Sequence, residues 1–203
     1  MSKRSERERY KATSSTSHNR KRSPRRFLCH RITKTIVQKK EIKKAIKQEN
    51  KDKKGLNSCF INCMLYNVPN FIGCFSQDQL QTLVIRSLPV SLIVNLDTSS
   101  SSGSHWIALR IAKKTLEIFD PLGFNVSKWP GKIPYFLFQF LHKFSVHRRV
   151  LISREIQPDN STLCGFYCIF FLYYRLTHTF HDCTKPFSRK QLRKNDIILQ
   201  NLF

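Results

Sequence analysis

The sequence predicts an α+β fold, a single domain in which a mixed, mainly antiparallel central sheet packs against one apolar helix. Residues 106–112 and 115–119 are two apolar segments separated by Lys113 and Lys114, which indicates a β-hairpin. Residues 164–174 form an apolar run that is too short to span a membrane, so a buried helix is favoured. With 40% hydrophobic residues and 16 Phe among 203 residues, the chain can build one packed core.

The other predicted elements follow from local patterns taken in chain order. Isoleucine and valine are spaced among lysines over residues 31–54, which predicts a basic amphipathic helix. Such a helix docks on the core or lies on an acidic surface; the alternative is a frayed linker. Residues 56–66 predict a short helix that ends before Pro69, since a residue before proline avoids the helical conformation. The remaining predictions are an irregular turn at 69–75, a short helix at 77–83, strands at 91–96 and 148–157, a helix at 134–144 and a short amphipathic segment at 196–203.

Positive charge is concentrated at the start of the chain. The net charge is +23; residues 1–54 hold 20 Lys and Arg against 5 acidic residues, whereas residues 55–203 hold 16 against 8. We therefore divide the chain at Gly55 into a basic extension, largely disordered or partly helical, and one folded domain. Such a charge requires a polyanionic or acidic partner and points to nucleic acid or to the nucleus.

The extension contains a dense basic cluster. It comprises Lys21, Arg22, Arg25 and Arg26. Clusters of this kind serve in nuclear import or as nucleic-acid-binding arms, while a solvated tail has the same composition. No apolar stretch follows Met1, so no signal peptide is expected, and no long apolar window predicts a membrane span. Reduced thiols are expected for the seven cysteines, an odd number in an apparently intracellular chain.

Cys164 is the strongest candidate nucleophile. It opens the apolar helix directly after residues 160–162, which are the helix-capping types Asn, Ser and Thr, and Gly165 lets another segment approach closely. A helix N-terminus and a nearby imidazolium both stabilise a thiolate, the reactive form of cysteine. Taken alone, a cysteine in such a run is more often a core residue, and that is our interpretation of Cys168.

Three further residues complete the groups that a cysteine hydrolase requires. His105 opens strand 106–112 after a Ser/Gly loop and Asp120 ends the next strand, so a hairpin brings both side chains to one end of the sheet. Asp120 then orients the imidazole and stabilises its protonated form. The amide of Gln157, at the end of the strand before the Cys164 loop, joins the Cys164 backbone N–H in an oxyanion hole. Taken singly, each of the three has an ordinary structural explanation.

These residues occur in ordered motifs, and over residues 56–175 the chain resembles the adenovirus-type cysteine endopeptidases, the adenain family, and more distantly the SUMO-deconjugating proteases. The motifs are Phe71-Ile-Gly73-Cys-Phe75-Ser-Gln-Asp78, Gly103-Ser-His105-Trp106, Ile118-Phe119-Asp120-Pro121-Leu-Gly123-Phe124, and Gln157 followed after six residues by Cys164-Gly165. The chain order His, Asp, Gln, Cys differs from the order Gln, Cys, His, Asn of papain. The resemblance therefore implies a papain-like domain of permuted order.

The resemblance also implies a role for each candidate residue. Cys164 is the nucleophile, and His105 is the base and acid. Asp120 orients the imidazole, and Gln157 donates to the oxyanion. Adenovirus enzymes carry Glu where this chain has Asp120, and related enzymes use Asp. Asp78 matches the family pattern, and we assign it a structural role.

By the same resemblance, the expected function is a viral maturation endopeptidase that cleaves capsid and core precursor proteins at sites containing Gly, in the host cell nucleus and the virion. We expect a monomer without a membrane partner, metal or required cofactor, and stimulation by DNA. Adenain is also activated by a peptide that forms a disulfide with a cysteine upstream of the nucleophile. Because no cysteine lies between Cys74 and Cys164, that disulfide has no evident acceptor here.

Three other interpretations remain open. A zinc site can be drawn from Cys59 and Cys63, from Cys164 and Cys168, and from His178, His181 and Cys183. Cys59 and Cys63, however, lie in an apolar helical pattern that favours core positions. A nuclear DNA-binding protein without enzymatic activity explains the charge but not the four ordered motifs. A SUMO or ubiquitin-like protein deconjugase shares the expected fold and site and differs in how its substrate docks.

Overall fold

The computed structural model describes residues 24–124 and 133–203, with side chains from residue 38 onward. Within that part of the chain, the helices are α1 (Pro24–Asp52), α2 (Ser58–Leu65), α3 (Tyr135–Ser145), α4 (Cys164–Tyr174) and α5 (Asn195–Leu202). The strands are β1 (Phe71–Ser76), β2 (Val90–Asn95), β3 (Trp106–Ile111), β4 (Thr115–Phe119) and β5 (Arg149–Ile152). Short 3-10 turns occupy Gln77–Gln81, His181–Thr184 and Leu192–Lys194. The predicted α+β class is confirmed.

The sheet is mixed, in the order β1-β2-β3-β4-β5. Adjacent strands among the three central ones, β2, β3 and β4, are antiparallel to one another, and each outer strand runs parallel to the strand beside it. The predicted hairpin of β3 and β4 is confirmed, with Ala108 opposite Phe119 and Ile111 opposite Leu116. This register places the residue before β3 and the residue after β4 at the same end of the sheet.

Alternating side chains of the sheet contribute to two hydrophobic cores, one on each face. Ile93, Ala108 and Phe119 belong to the core shared with α4, whereas Ile107 belongs to the core covered by α3. The ring of Phe119 stacks on Phe171 of α4 with centroids 4.4 Å apart. Residues of α1, α2 and α5 belong to the same core as α4. Helix α4 therefore packs against these helices as well as against the sheet.

Helix α1 contains the segment predicted as a basic amphipathic helix. Ile42 and Ile46 are fully buried in the α4 core, so docking on the core is the alternative that the structure supports. The larger of two compact units covers Ile36–Phe203. The domain boundary at Gly55 stays a prediction.

Two segments differ from their predicted conformation. Residues 71–76 form strand β1 where an irregular turn was predicted, because parallel pairing with β2 overrides the local turn signal. The pairing register shifts between Phe71 and Cys74, around Gly73 with its φ of 129°. Strand β5 ends at Ile152, five residues earlier than predicted. The chain then leaves the sheet, so the segment that leads to α4 is a loop.

The predicted basic cluster lies largely outside the described residues. Lys21 and Arg22 precede the described part of the chain, and for Arg25 and Arg26 only their place in helix α1 is described. No helix among the described residues combines the length and apolar character that crossing a membrane requires. The six cysteines from Cys59 to Cys183 are free thiols.

Candidate active site

His105 is positioned by the loop that enters β3. Its carbonyl accepts a hydrogen bond from the backbone N–H of Leu96 at 3.0 Å, which fixes the backbone where the strand begins. Two residues earlier, Gly103 has a φ of 86°, and a Cβ atom at that position would lie 2.6 Å from Asn95 Nδ2. Glycine is therefore required there both for its conformation and for the space that it leaves. The His105 side chain is buried at this strand end.

Asp78 supports the same loop from outside the site. Its carboxylate accepts hydrogen bonds from the backbone N–H of Ser99 at 2.9 Å and from the Ser99 hydroxyl at 2.7 Å. Hydrogen bonds from the Ser99 and Ser76 side chains lower the pKa of Asp78 to about 2. These contacts fit the structural role predicted for Asp78, because they join the turn after β1 to the loop before His105.

Asp120 lies directly after β4 and is fully buried. Its backbone N–H donates to Ser153 Oγ at 2.8 Å, and the Ser153 hydroxyl donates back to the Asp120 carbonyl at 2.7 Å. Its Oδ1 atom accepts the backbone N–H of Leu122 at 2.9 Å and lies 2.7 Å from His105 Nε2. The structure thus brings together His105 and Asp120 as the hairpin predicted. Ser153, which fixes the Asp120 backbone, had no sequence signal.

Cys164 is the first residue of α4 and is 5% exposed. The helix begins after Leu163 without a side-chain cap, so capping by residues 160–162, as predicted, is not observed. Ser161 instead accepts the backbone N–H of Leu163 at 3.2 Å. The first N–H groups of an uncapped helix remain available to a negatively charged group.

The pKa of His105 reports its contacts with both neighbours. Burial lowers this pKa, but hydrogen bonds and electrostatic interactions with Asp120 and Cys164 raise it to about 9. Since Nε2 is hydrogen-bonded to Asp120, Nδ1 is the ring nitrogen that remains available for a second hydrogen bond. The imidazole is therefore protonated at neutral pH and lies between a carboxylate and a cysteine.

Gln157 is buried in the loop before α4, beyond the end of β5 where the prediction placed it. Its backbone N–H donates to the Pro121 carbonyl at 2.8 Å, and its side-chain Nε2 donates to the Ser161 carbonyl at 2.6 Å. The amide carries two hydrogens, so one donor remains after this bond. Its role as oxyanion donor stays a prediction.

The pair Cys164-Gly165 is packed against Leu56, a contact that the sequence did not predict. A Cβ atom on Gly165 would lie 3.1 Å from Leu56 side-chain atoms and 3.3 Å from Trp106 Cδ1. The indole N–H of Trp106 donates to the Leu56 carbonyl at 2.9 Å. Leu56 thus lies against residues adjacent to both Cys164 and His105. The apolar character of Leu56 was its only signal, because the contact joins residues 109 positions apart.

The remaining cysteines divide into core and surface positions. Cys168 is fully buried, its thiol donates to the Trp106 carbonyl at 3.3 Å, and burial raises its pKa well above the ordinary value, which confirms the core interpretation. Cys59 and Cys63 are exposed, so the core positions predicted for them are wrong. The buried face of α2 is formed instead by Ile61 with Met64 and Leu65. Among the described residues, no group of three or more His, Cys, Asp or Glu could hold a metal ion.

Comparison with known proteins identifies a family match over the region that holds the site. The sequence profile of the adenovirus endoprotease family matches residues 71–197, which include all four predicted site residues. A protease of bovine adenovirus 2 is 26% identical over 117 residues, 52% of this chain and 54% of that protein. The chain thus spans about half the length of this curated relative.

A solved structure shows a more distant similarity. The C-terminal Ulp1 protease domain, solved in complex with Smt3, the yeast ortholog of SUMO, is 17% identical and has a TM-score of 0.38. The alignment covers 72% of this chain and 75% of that domain.

Proposed function

Because the chain belongs to the adenovirus endoprotease family, we propose that it is a cysteine endopeptidase with Cys164 as its nucleophile. The observation that best supports this proposal is the buried 2.7 Å contact between His105 Nε2 and Asp120 Oδ1, beside a cysteine at a helix N-terminus. A protonated imidazole next to a thiol stabilises the thiolate, and the thiolate is the form that attacks a carbonyl carbon.

The proposed reaction has two steps. The Cys164 thiolate attacks the carbonyl carbon of the scissile peptide bond, and the His105 imidazolium gives its proton to the leaving amine. Neutral His105 then takes a proton from water, the hydroxide attacks the thioester, and Cys164 is released. Asp120 keeps the imidazole oriented and stabilises its protonated form in both steps.

The oxyanion of each tetrahedral intermediate needs hydrogen-bond donors that are already in place. We assign this role to the Cys164 backbone N–H and to the second amide hydrogen of Gln157. The bond from Gln157 to the Ser161 carbonyl supports the assignment, because it holds the Gln157 amide against a residue three positions before the nucleophile. The positive end of the α4 dipole adds to the same stabilisation.

We propose capsid and core precursor proteins as substrates, cleaved at sites that contain Gly. The test is mass spectrometry of the co-encoded structural proteins after incubation with wild-type chain or with Cys164→Ala. Internal cleavage by the wild type alone supports a maturation endopeptidase. Cleavage that occurs only after the C-terminal tail of a conjugated SUMO-like protein supports the deconjugase instead. Full activity of Cys164→Ala contradicts the assignment of the nucleophile.

We also propose that DNA binds the enzyme and stimulates it, in the host cell nucleus and the virion. The net charge of +23 supports sequence-independent binding to phosphates. A cavity of about 590 Å³ beside β5 adds support, since its lining includes Arg154, His181, Lys185 and Arg189 and no acidic residue. Burial and the nearby charge of Arg189 lower the pKa of Arg154, as expected where two cationic side chains lie close together.

A further inference from the structure

Glu49 is a buried carboxylate that the proposed mechanism does not use. It lies in the last turn of α1, is 7% exposed, and precedes the family-matched region, which starts at residue 71. Its Oε1 atom accepts hydrogen bonds from the backbone N–H of Gly55 at 2.6 Å and from the Thr162 hydroxyl at 2.7 Å. A buried carboxylate is costly unless hydrogen-bonded, so this pair of contacts defines what Glu49 does in the fold.

The contact with Thr162 reaches the loop that carries the nucleophile. Thr162 lies two residues before Cys164, and its neighbour Ser161 supplies the carbonyl that accepts from the Gln157 amide. On the other side, the Ser161 hydroxyl donates to Asp196 Oδ1 at 3.0 Å. The loop is therefore held from two directions, by Asp196 from the C-terminal region and by Glu49 from α1.

The contact with Gly55 connects Glu49 to the residue beside Leu56, which packs against Gly165 in the same site. Gly55 precedes Leu56, whose carbonyl accepts the Trp106 indole N–H and whose side chain contacts the face of Gly165. Gly55 has a φ of 73°, so the chain turns sharply at the residue that Glu49 holds. One carboxylate oxygen thus binds both the loop before Cys164 and the residue directly before Leu56, the residue that packs against Gly165.

We propose that Glu49 is a positioning residue of the active site, through which helix α1 becomes part of the catalytic unit. It does not touch the reacting atoms. It sets the loop entering α4, and with it the backbone N–H of Cys164 and the amide of Gln157, in the geometry that the reaction needs. Misplacing groups of this kind lowers kcat more than it changes substrate binding. The inference rests on the proposed endopeptidase activity.

The test compares three variants of the full chain by cleavage of a Gly-containing peptide. Glu49→Ala removes both hydrogen bonds and should lower kcat about tenfold while KM changes less than about twofold. Glu49→Gln keeps an amide oxygen that can accept both bonds and should restore most of kcat. Glu41→Ala is the matched control, since it removes an exposed carboxylate from the same helix and should leave kcat unchanged.

Two further readouts separate this role from general stabilisation. The rate of Cys164 alkylation by iodoacetamide should fall in Glu49→Ala, measured well below the thermal midpoint of that variant. Thr162→Val, which removes only the hydroxyl donor, should lower kcat in the same direction and serves if Glu49→Ala does not fold.

Specific results would overturn the inference. Unchanged kcat in Glu49→Ala or in Thr162→Val, with only a lower thermal midpoint, would show that the contact is merely structural. A Glu49→Gln variant as slow as Glu49→Ala would exclude the acceptor role. A wild-type chain that neither cleaves the peptide nor shows His105-dependent alkylation would overturn the proposed function and this inference with it.

Discussion

At the residue scale, His105 shows how burial and hydrogen bonding compete over one proton. Burial alone would leave the ring neutral, yet the contacts with Asp120 and Cys164 raise its pKa from 6.5 to about 9. The ring is therefore charged over the range in which an unperturbed histidine loses its proton. The charged ring in turn favours the thiolate form of its neighbour.

We expect His105 to stabilise the fold at low pH and to lose that effect at high pH. Its pKa is higher in the folded protein than in the unfolded chain, so the folded state binds the proton more tightly. The stabilisation is complete below pH 6.5 and is lost as the pH rises through about 9. Denaturation of wild type and His105→Ala across this range should show a difference in unfolding free energy that shrinks with rising pH. If the difference in unfolding free energy stays constant with pH, the pKa of His105 is not raised in the folded protein.

Site residues on adjacent strands were predictable from the sequence. Residues that contact the site from distant parts of the chain were not. His105 and Asp120 follow from two adjacent strands, because a hairpin brings its outer ends together whatever surrounds it. Ser153, Leu56 and Glu49 contact the site across separations of 33 to 113 residues, which no local pattern encodes. Their side chains carry no chemistry that distinguishes them in sequence.

At the element scale, the end of α4 is attached to the sheet by buried charge. Glu117 on β4 is 1% exposed and accepts hydrogen bonds from Arg175 at 2.8 and 2.9 Å and from Arg110 at 3.1 Å. Arg175 directly follows the last residue of α4, so the contact fixes this end of the helix against the strand that leads to Asp120. The sequence placed Glu117 in an apolar strand without indicating a partner.

Glu117→Ala should destabilise the fold strongly, because it leaves two arginines without their buried counter-charge. The expected loss is about 3–5 kcal/mol in the free energy of unfolding. Urea denaturation measures it, with Asp182→Ala as the control. Asp182 pairs with Lys185 at 2.6 Å on the surface, and its loss should have little effect. Equal effects of the two variants would show that burial of Glu117 does not matter.

Helix α1 combines a basic surface with an apolar face that completes the core. We expect Ile42→Ala and Ile46→Ala each to lower the free energy of unfolding by about 2–5 kcal/mol, the usual cost of a cavity in a packed core. Ile197→Ala is the control, since Ile197 is 62% exposed and should contribute little. Denaturation of the three full-length variants gives the comparison. If Ile42 and Ile46 behave like Ile197, α1 does not dock on the domain.

Strand β1 shows where element prediction fails. Its Gly, Cys and Ser residues read locally as a turn, and only pairing with β2, which is itself fully buried, makes the segment a strand. The apolar run of α4, by contrast, was predicted with its observed bounds, because its composition requires burial in any context.

At the scale of the whole molecule, positive charge is not confined to the N-terminal extension. The cavity beside β5 gathers cationic side chains on the folded domain. The sequence shows the total charge and its uneven distribution. It does not predict the cluster of cations in this cavity, since Arg154 and Arg189 are 35 residues apart.

If the cavity binds phosphates, Arg189→Ala should weaken DNA binding and lower the slope of log affinity against log salt by about 1. Arg86→Ala is the matched control, because Arg86 is also exposed but does not line the cavity. Fluorescence anisotropy with a labelled duplex at several salt concentrations measures both variants. Identical slopes for the two variants would contradict a role for this cavity.

Site-resolved alkylation tests most directly whether His105 activates Cys164. Cys59 and Cys63 are exposed thiols, whereas Cys164 is 5% exposed, so exposure alone predicts that iodoacetamide modifies Cys59 and Cys63 first. We predict that peptide-mapping mass spectrometry of the wild-type chain near neutral pH finds Cys164 modified faster than Cys59 and Cys63. In His105→Ala this preference should be lost. Faster modification of Cys59 and Cys63 in the wild type, or a Cys164 rate unaffected by His105→Ala, would contradict the account.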